Sequence, residues 1–409
     1  MKKIFLTTFI PLILLGQNLD ELIDLSLKSQ LINSYKFETD SIKKEYESVK
    51  SAYLPSVDLG ANYTRAHNEY SGIPKNGITT SASINFVLYD GGKREKTFDT
   101  YDSNIKSSQE SLNSAKNQIA LDVTTYYFNY LALLAQKEAK LKQIDQLKAQ
   151  EKRLSRFLDV GSTTKDEVEK IISRLESENV NLHSINLQLQ TILYNLEYIT
   201  GQKISITKGS NIKDYQILTE SNRADIKALE YNVKAQLDNA KAQKSDYLPT
   251  IVLNNTYTDY EYNYDNSLYD VGLDDQNIFS INMKWNIFSF GETKNKYESQ
   301  YQKYLSLKSR YAYEKNKANT DLRLAQRAYE ISKQKVESAK ASLKAATSAY
   351  EVIKSKYENG LIQNVAYLEA LSEKYDAISQ LEFAKYDLQI KKATIIYHSG
   401  ENLKDYIRW

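Results

Sequence analysis

The chain has 409 residues, with 54 Lys and Arg against 52 Asp and Glu, 13 Gly, 4 Pro and no Cys. A formal charge of +2 leaves no electrostatic footprint for nucleic acid, and the missing Cys removes disulfides, thiolate catalysis and thiolate metal sites together. With 26% charged residues, the composition fits neither a disordered chain nor an ordinary α/β enzyme of this length.

Tyr is the outlying residue type, at 33. Its apolar ring and polar tip suit half-wet surfaces and membrane-water boundaries better than a dry core. At the N-terminus, Met1, Lys2 and Lys3 precede an apolar run at 4–15, followed by Gly16 and Gln17. This reads as a secretory signal peptide over residues 1–16, too short to span a membrane. Its removal takes away two lysines and no acids, so the mature chain carries 52 charges of each sign. No other apolar stretch approaches the length of about 18 residues that a spanning helix needs. Entry into a membrane is therefore left to β-strands.

A helical stretch at about 19–52 ends in Tyr53, Leu54 and Pro55, and 194 positions later the chain reads Tyr247, Leu248 and Pro249. Pro cannot continue a helix and is tolerated at the start of a strand, so Pro55 and Pro249 mark helix-to-strand turns. Alternation follows each of them. In the first half the apolar side is Val57, Leu59, Ala61 and Tyr63, then Ala82, Ile84, Phe86 and Leu88. In the second it is Ile251, Leu253 and Tyr257, then Ile281, Met283, Trp285 and Ile287. Period two with one apolar side predicts a hairpin at about 56–89 and another at about 250–288. The polar tips are 65–77 and 259–277; the second holds six acids and no Lys or Arg, and reads as a solvated loop rather than a calcium loop.

Glycine spacing then organises the rest. Gly92 to Gly161 and Gly291 to Gly360 are both 69 positions, and Gly161 to Gly201 and Gly360 to Gly400 are both 40. Residues 93–160 and 292–359 are 68-residue runs without Gly or Pro, which as helices are each roughly 100 Å long. Such length and charge indicate coiled-coil shafts. Return helices are expected at 162–200 and 361–399. The first has a heptad seam through Val168, Ile171, Leu175, Leu182, Ile185, Leu189, Ile192, Leu196 and Ile199, interrupted by Glu178. The second has a weaker seam, Leu371, Tyr375, Ile378, Leu381, Ala384, Leu388 and Ile395. Its partner run carries Ala339, Ala341, Ala345, Ala346 and Ala349, which allow close approach. The plan is thus an internal two-fold repeat, 17–210 and 211–409, forming one channel-tunnel unit.

Four strands with an apolar face cannot close a barrel within one chain, because outer-membrane barrels begin at about eight and an open edge in lipid is forbidden. A ring of three copies supplies twelve; a dimer supplies eight and leaves less room for a lumen. Against that background, the Tyr-Leu-Pro pair at 53–55 and 247–249, the turn Tyr89, Asp90, Gly91, Gly92, and the tips at Val160, Gly161 and Gly360 resemble the TolC-like outer-membrane efflux proteins. Arg223, Ala224, Asp225 and Ile226 look like that family's Arg-Pro-Asp-Leu/Ile signature with Ala for Pro. The resemblance covers essentially all of the mature chain.

The resemblance implies a mainly α fold with a small β part: a trimeric twelve-stranded outer-membrane barrel, four strands per chain, continued by a long α-helical coiled-coil tunnel in the periplasm. The chain is short for the family, so a reduced equatorial belt is expected from 203–215 and the last few residues. The implied function is the outer-membrane channel of a tripartite export system, passive and without catalytic residues or cofactor, carrying small molecules outward. The implied partners are two further copies, a periplasmic adaptor, an inner-membrane pump or exporter, and outer-membrane lipid. A type I protein-secretion conduit is the alternative. A secreted trimeric coiled-coil stalk or adhesin is a further alternative, but it leaves the two lipid-patterned hairpins unexplained.

The resemblance also places sites. The tips Val160, Gly161, Ser162 and Asn359, Gly360, Leu361 are the ends that meet the adaptor. The closed periplasmic end resembles an iris of polar links and an axial ring of carboxylates: Tyr357 is the linking Tyr, and Glu167 its acidic partner with Asp166 beside it. The family's Arg is Ile362 here, one of its two axial acids is Ala366, and Glu369 keeps the other. A ring of Glu369 implies a cation-selective pore blocked by multivalent cations. His67, His183 and His398 are scattered, and no metal site is expected from them.

Overall fold

The computed structural model describes residues 16–214 and 219–409, so the signal-peptide reading over 1–15 and the belt residue Tyr215 lie outside the described residues. In chain order the elements are α1 (Leu19–Ser26), α2 (Gln30–Ala52), β1 (Ser56–Arg65), β2 (Asn76–Tyr89), α3 (Lys93–Asp159), α4 (Lys165–Thr200), β3 (Asn211–Ile212), α5 (Ala224–Ala242), β4 (Thr250–Asn263), β5 (Gln276–Lys284), α6 (Glu292–Glu358), α7 (Asn364–Ser399) and β6 (Ile407–Arg408). Short 3-10 turns occupy Gln243–Tyr247 and Leu403–Tyr406. The fold is mainly α with a small sheet.

The chain divides into two compact units. One comprises the described parts of 1–34, 113–224 and 315–409, and the other 35–112 and 225–314. Each unit draws on both halves of the chain, because strands pair across the halves in one and helical hairpins pack across them in the other.

In the strand-bearing unit the sheet order is β1, β2, β4, β5, all antiparallel. The register puts Val57, Ile84, Asn255 and Phe279 in one row, and Leu253 with Phe86 and Ile281 in the next. One face therefore gathers most of the sheet's apolar side chains, including the exposed Leu59, Tyr63, Ile281 and Met283, with polar residues such as Asn255 and Glu261 among them. The opposite face is polar, with Asn85 Nδ2 donating to Asp58 Oδ2 at 3.1 Å and Asn254 donating in turn to Asn85. Both edges, β1 and β5, lack a further strand among the described residues.

Strand ends depart from the alternation pattern. Trp285 and Ile287 lie beyond β5, because β4 begins at Thr250 opposite Lys284 and Pro249 offers no N–H to extend the ladder. Instead the Trp285 indole donates to the Tyr247 carbonyl at 3.1 Å. The second tip is shorter than 259–277, since β4 runs to Asn263 and β5 starts at Gln276. Glu69 of the first tip accepts from the backbone N–H groups of Asp265 and Asn266 at 2.6 Å each.

Helices α3 and α6 are 67 residues each, their first turns belonging to the strand-bearing unit and the rest to the helical unit, where α4 and α7 are 36 each. The α4 seam is buried at Val168, Ile171, Leu175, Ile185, Leu189, Ile192 and Leu196. Burial of each such side chain contributes about 1.5–3 kcal/mol, so packing outweighs weak intrinsic propensity in holding the helix. The expected helix at 19–52 is instead two. After α1 the N–H groups of Lys28 and Ser29 reach back only three residues, to Leu25 and Ser26, and tighten the turn until it breaks. The belt segment pairs β3 with β6, through Asn211 with Arg408 and Ile212 with Ile407.

Two packing expectations are corrected. Tyr is not confined to half-wet surfaces: Tyr127, Tyr350, Tyr367 and Tyr375 are buried. Their tips are provided for, as Tyr127 donates to the Thr207 carbonyl at 2.8 Å and Tyr367 accepts from Gln150 at 3.5 Å. On α6 the inward line is Ser332, Val336, Ala339, Leu343, Ala346 and Tyr350, whereas Ala341, Ala345 and Ala349 are exposed. Alternate steps of four and three select that line and leave those three alanines on the other side.

Candidate gate and docking tips

The two helical hairpins turn on the same device. Gly161 and Gly360 have φ of +73° and +72°. Ser162 N–H reaches the Phe157 carbonyl at 2.7 Å and Leu361 N–H the Lys356 carbonyl at 2.9 Å, the long bond of a left-handed helix terminus. Val160 and Leu361, each 73% exposed, project from these turns, and Ser162 and Asn359 are exposed beside them. The structure thus presents one apolar side chain at each tip.

The sites carried over by position are only partly brought together. Lys170, on the same helix as Asp166 and Glu167, donates to both carboxylates at 3.0 and 2.9 Å. Hydrogen bonds from Thr164 and Lys170 hold the Asp166 carboxyl below the usual range. Tyr357 lies near enough for the Glu167 charge to act on its hydroxyl, but no hydrogen bond joins them among the described residues. Its ring stacks on Tyr367 with centroids 4.7 Å apart, and the Arg153 guanidinium stands 5.9 Å from it. Burial pushes the Tyr357 hydroxyl up, against the pull of Arg153. Glu369 is exposed and has no ion pair among the described residues.

A polar cluster that position-matching misses lies farther along the same helices. Glu178 and Lys140 face each other at 2.8 Å with side chains 3% and 10% exposed. The one signal for it was the charged residue breaking the α4 seam. The cluster reaches α7, where Arg174 Nη2 donates to Ser372 Oγ at 2.5 Å. Among the described residues no group of His, Asp or Glu is placed to hold a metal ion, and no helix is long and apolar enough to cross a membrane.

The family model for outer membrane efflux proteins matches residues 24–202 and 218–401. The chain belongs to that family. Efflux-family membership places it in the outer membrane, extending into the periplasm, among channels rather than enzymes. The chain is 22% identical over 240 residues to outer membrane protein TolC of Escherichia coli K12, an alignment covering 52% of this chain and 46% of that protein, so it spans about half of that relative. It is 21% identical over 391 residues to TolC of Salmonella enteritidis, covering 88% of this chain and 77% of that protein. Its fold matches the CmeC outer membrane channel of Campylobacter jejuni with a TM-score of 0.83 at 19% identity, covering 93% and 85% of the two chains. It matches VceC of Vibrio cholerae with 0.82 at 15%, covering 94% and 96%.

Proposed function

We propose that three copies of this chain form the outer-membrane conduit of a tripartite export system, in which small molecules pass from an inner-membrane pump through a periplasmic adaptor to the outside. The observation that carries the reading is the four-stranded sheet, with one face apolar, the other polar and both edges open, on a chain whose helices run to 67 residues. An apolar face suits lipid, a polar face suits a wet lumen, and open edges in lipid require further copies. Val160, Gly161, Ser162 and Asn359, Gly360, Leu361 are the adaptor-docking ends, and Asp166, Glu167, Tyr357 and Glu369 line the gate. The coiled-coil stalk does not account for the apolar sheet face.

The test is a deletion strain grown against antibiotics, dyes, bile salts and metals, with and without the wild-type gene. Raised sensitivity of the deletion strain to several unrelated amphiphilic compounds, with resistance restored by the wild-type gene, is the expected outcome. Unaltered susceptibility together with loss of a secreted protein from the medium overturns small-molecule efflux in favour of protein secretion.

A further inference from the structure

Tyrosines occur on both faces of the four-stranded sheet, and the register sorts them. Tyr63 pairs with Ile78 and Tyr257 with Ala82, so these two share the apolar face, where a ring with a polar tip suits the boundary between lipid and water. Tyr260 pairs with Thr79 and Tyr262 with Gly77, which puts both on the polar face with Ser81, Ser83 and Asn85 of β2. A lipid boundary gives no reason for rings on that side. Tyr264 follows one step beyond the end of β4. Ring centroids 5.5 Å apart from Tyr260 to Tyr262, and 6.5 Å apart from Tyr262 to Tyr264, join the three edge to face in one strip.

The middle ring is fixed from beneath. A Cβ on Gly77 would lie 2.5 Å from Tyr262 Cδ1, so the ring covers bare backbone of β2 that any other residue would deny it. The Tyr262 hydroxyl also shares a hydrogen bond with Thr79 Oγ1 at 3.1 Å. All three rings are half-buried, so each keeps part of its surface open. The surroundings are acidic. The second tip holds six acids and no Lys or Arg. Asp270 and Glu69 lie near enough for their charges to act on the Tyr264 hydroxyl, and Lys75 of the first tip, 3.8 Å from Asp265, offsets part of that charge. Along the polar face itself the register leaves Lys284 of β5 at the opposite end and no Lys or Arg nearer the strip.

We propose that Tyr260, Tyr262 and Tyr264 form a binding strip for planar aromatic cations at the tip end of the polar sheet face. The inference rests on the conduit reading, in which that face borders the lumen and the tips its outer mouth, and it names a class of cargo that binds there. Electron-rich ring faces amid carboxylates attract an organic cation, and a flat aromatic one gains stacking as well. An anion is repelled by the same acids. Because the rings succeed one another at 5.5 and 6.5 Å, a molecule that leaves one meets the next.

The experiment is planar-bilayer recording of the intact purified channel. Ethidium, a planar aromatic monocation, and tetraethylammonium, a monocation without a ring, are added in turn from the tip side. Ethidium should half-block the wild-type current at a concentration about tenfold below that of tetraethylammonium. Tyr260→Leu and Tyr264→Leu should each raise the half-blocking concentration of ethidium several-fold without moving that of tetraethylammonium, while Tyr260→Phe, which keeps the ring, should match wild type. Tyr264 lies beyond the strand, so its variant reports even where Tyr260→Leu fails to assemble. Ethidium block unchanged in the Leu variants overturns the strip, and so does an equal shift for both cations, which would mean charge alone. A wild type that never conducts overturns the conduit reading instead. Titration of ethidium fluorescence with the same protein in detergent then decides the strip separately: binding weakened by Tyr264→Leu supports it, and binding that neither Leu variant weakens overturns it.

Discussion

Glu178 shows how a single residue can be legible as an anomaly and illegible as a function. A heptad seam admits a carboxylate only if its desolvation is offset, and nothing in the local sequence says that Lys140, 38 positions earlier, supplies the offset. Burial raises the Glu178 pKa, but the hydrogen bonds from Lys140 and Asn181 and the charge of Arg174 outweigh it and hold the carboxyl below the usual range. A depressed folded-state value means stability is present above the unfolded pKa of about 4.3 and lost as pH falls through the folded value. Lys140→Ala should therefore cost about 3–5 kcal/mol at neutral pH, because it leaves Glu178 buried without its nearest cation. Lys140→Met with Glu178→Leu should stay near wild-type stability at pH 7 and lose less on acidification. Thermal melts of the three proteins between pH 7 and pH 3 check this; equal acid sensitivity of wild type and the double variant would count against the account.

At the scale of the helices, glycines in the left-handed region do two different jobs. Gly161 and Gly360 end the long helices in open space, where an added Cβ meets nothing within 4 Å. Gly400 ends α7 with φ of +87°, and a Cβ there would lie 2.2 Å from the Asn222 carbonyl oxygen. Gly161→Ala and Gly360→Ala should thus cost only the left-handed strain, about 1–2 kcal/mol, and leave assembly intact. Bulky replacements at the same two positions should abolish efflux through the docking ends without lowering oligomer yield. Gly400→Ala should cut the yield of folded protein sharply, since backbone rather than a movable side chain blocks the methyl group. Expression yield and drug susceptibility of the five variants separate these outcomes. Sequence spacing made the four hairpin glycines look equivalent; only the packing of 219–223 against the end of α7 distinguishes Gly400.

At the scale of the molecule, the sheet carries the case for assembly. Among the described residues β1, 10 residues long, has one neighbour, β2, and β5 has one neighbour, β4. In the proposed conduit, unpaired backbone groups on both edges could not stay in hydrocarbon, so copies would have to join edge to edge until a ring closed. The protein extracted in mild detergent should have the mass of a trimer by light scattering corrected for bound detergent. Its circular dichroism should be dominated by helix, with a strand component. A monomer retaining channel conductance would refute closure by three copies.

Period, length and punctuation were sufficient for most of the elements. Glycine spacing marked the long helices, Pro55 and Pro249 marked the switches to strand, and alternation marked the apolar side of the sheet, because each follows from backbone sterics or local geometry. The limits of β4 and β5, the break between α1 and α2, and the inward line of α6 depended on which partner lay alongside. The residues of the helical tips and of the polar cluster beyond them divide in the same way. Gly161, Gly360, Tyr357 and Glu369 could be named by counting from a turn, whereas Arg174, Lys140, Ser372 and Asp376 could not. They are joined by the Arg174–Ser372 hydrogen bond across 198 positions and the Lys140–Asp376 ion pair across 236, and such contacts exist only once two hairpins with no local reason to meet have been packed side by side.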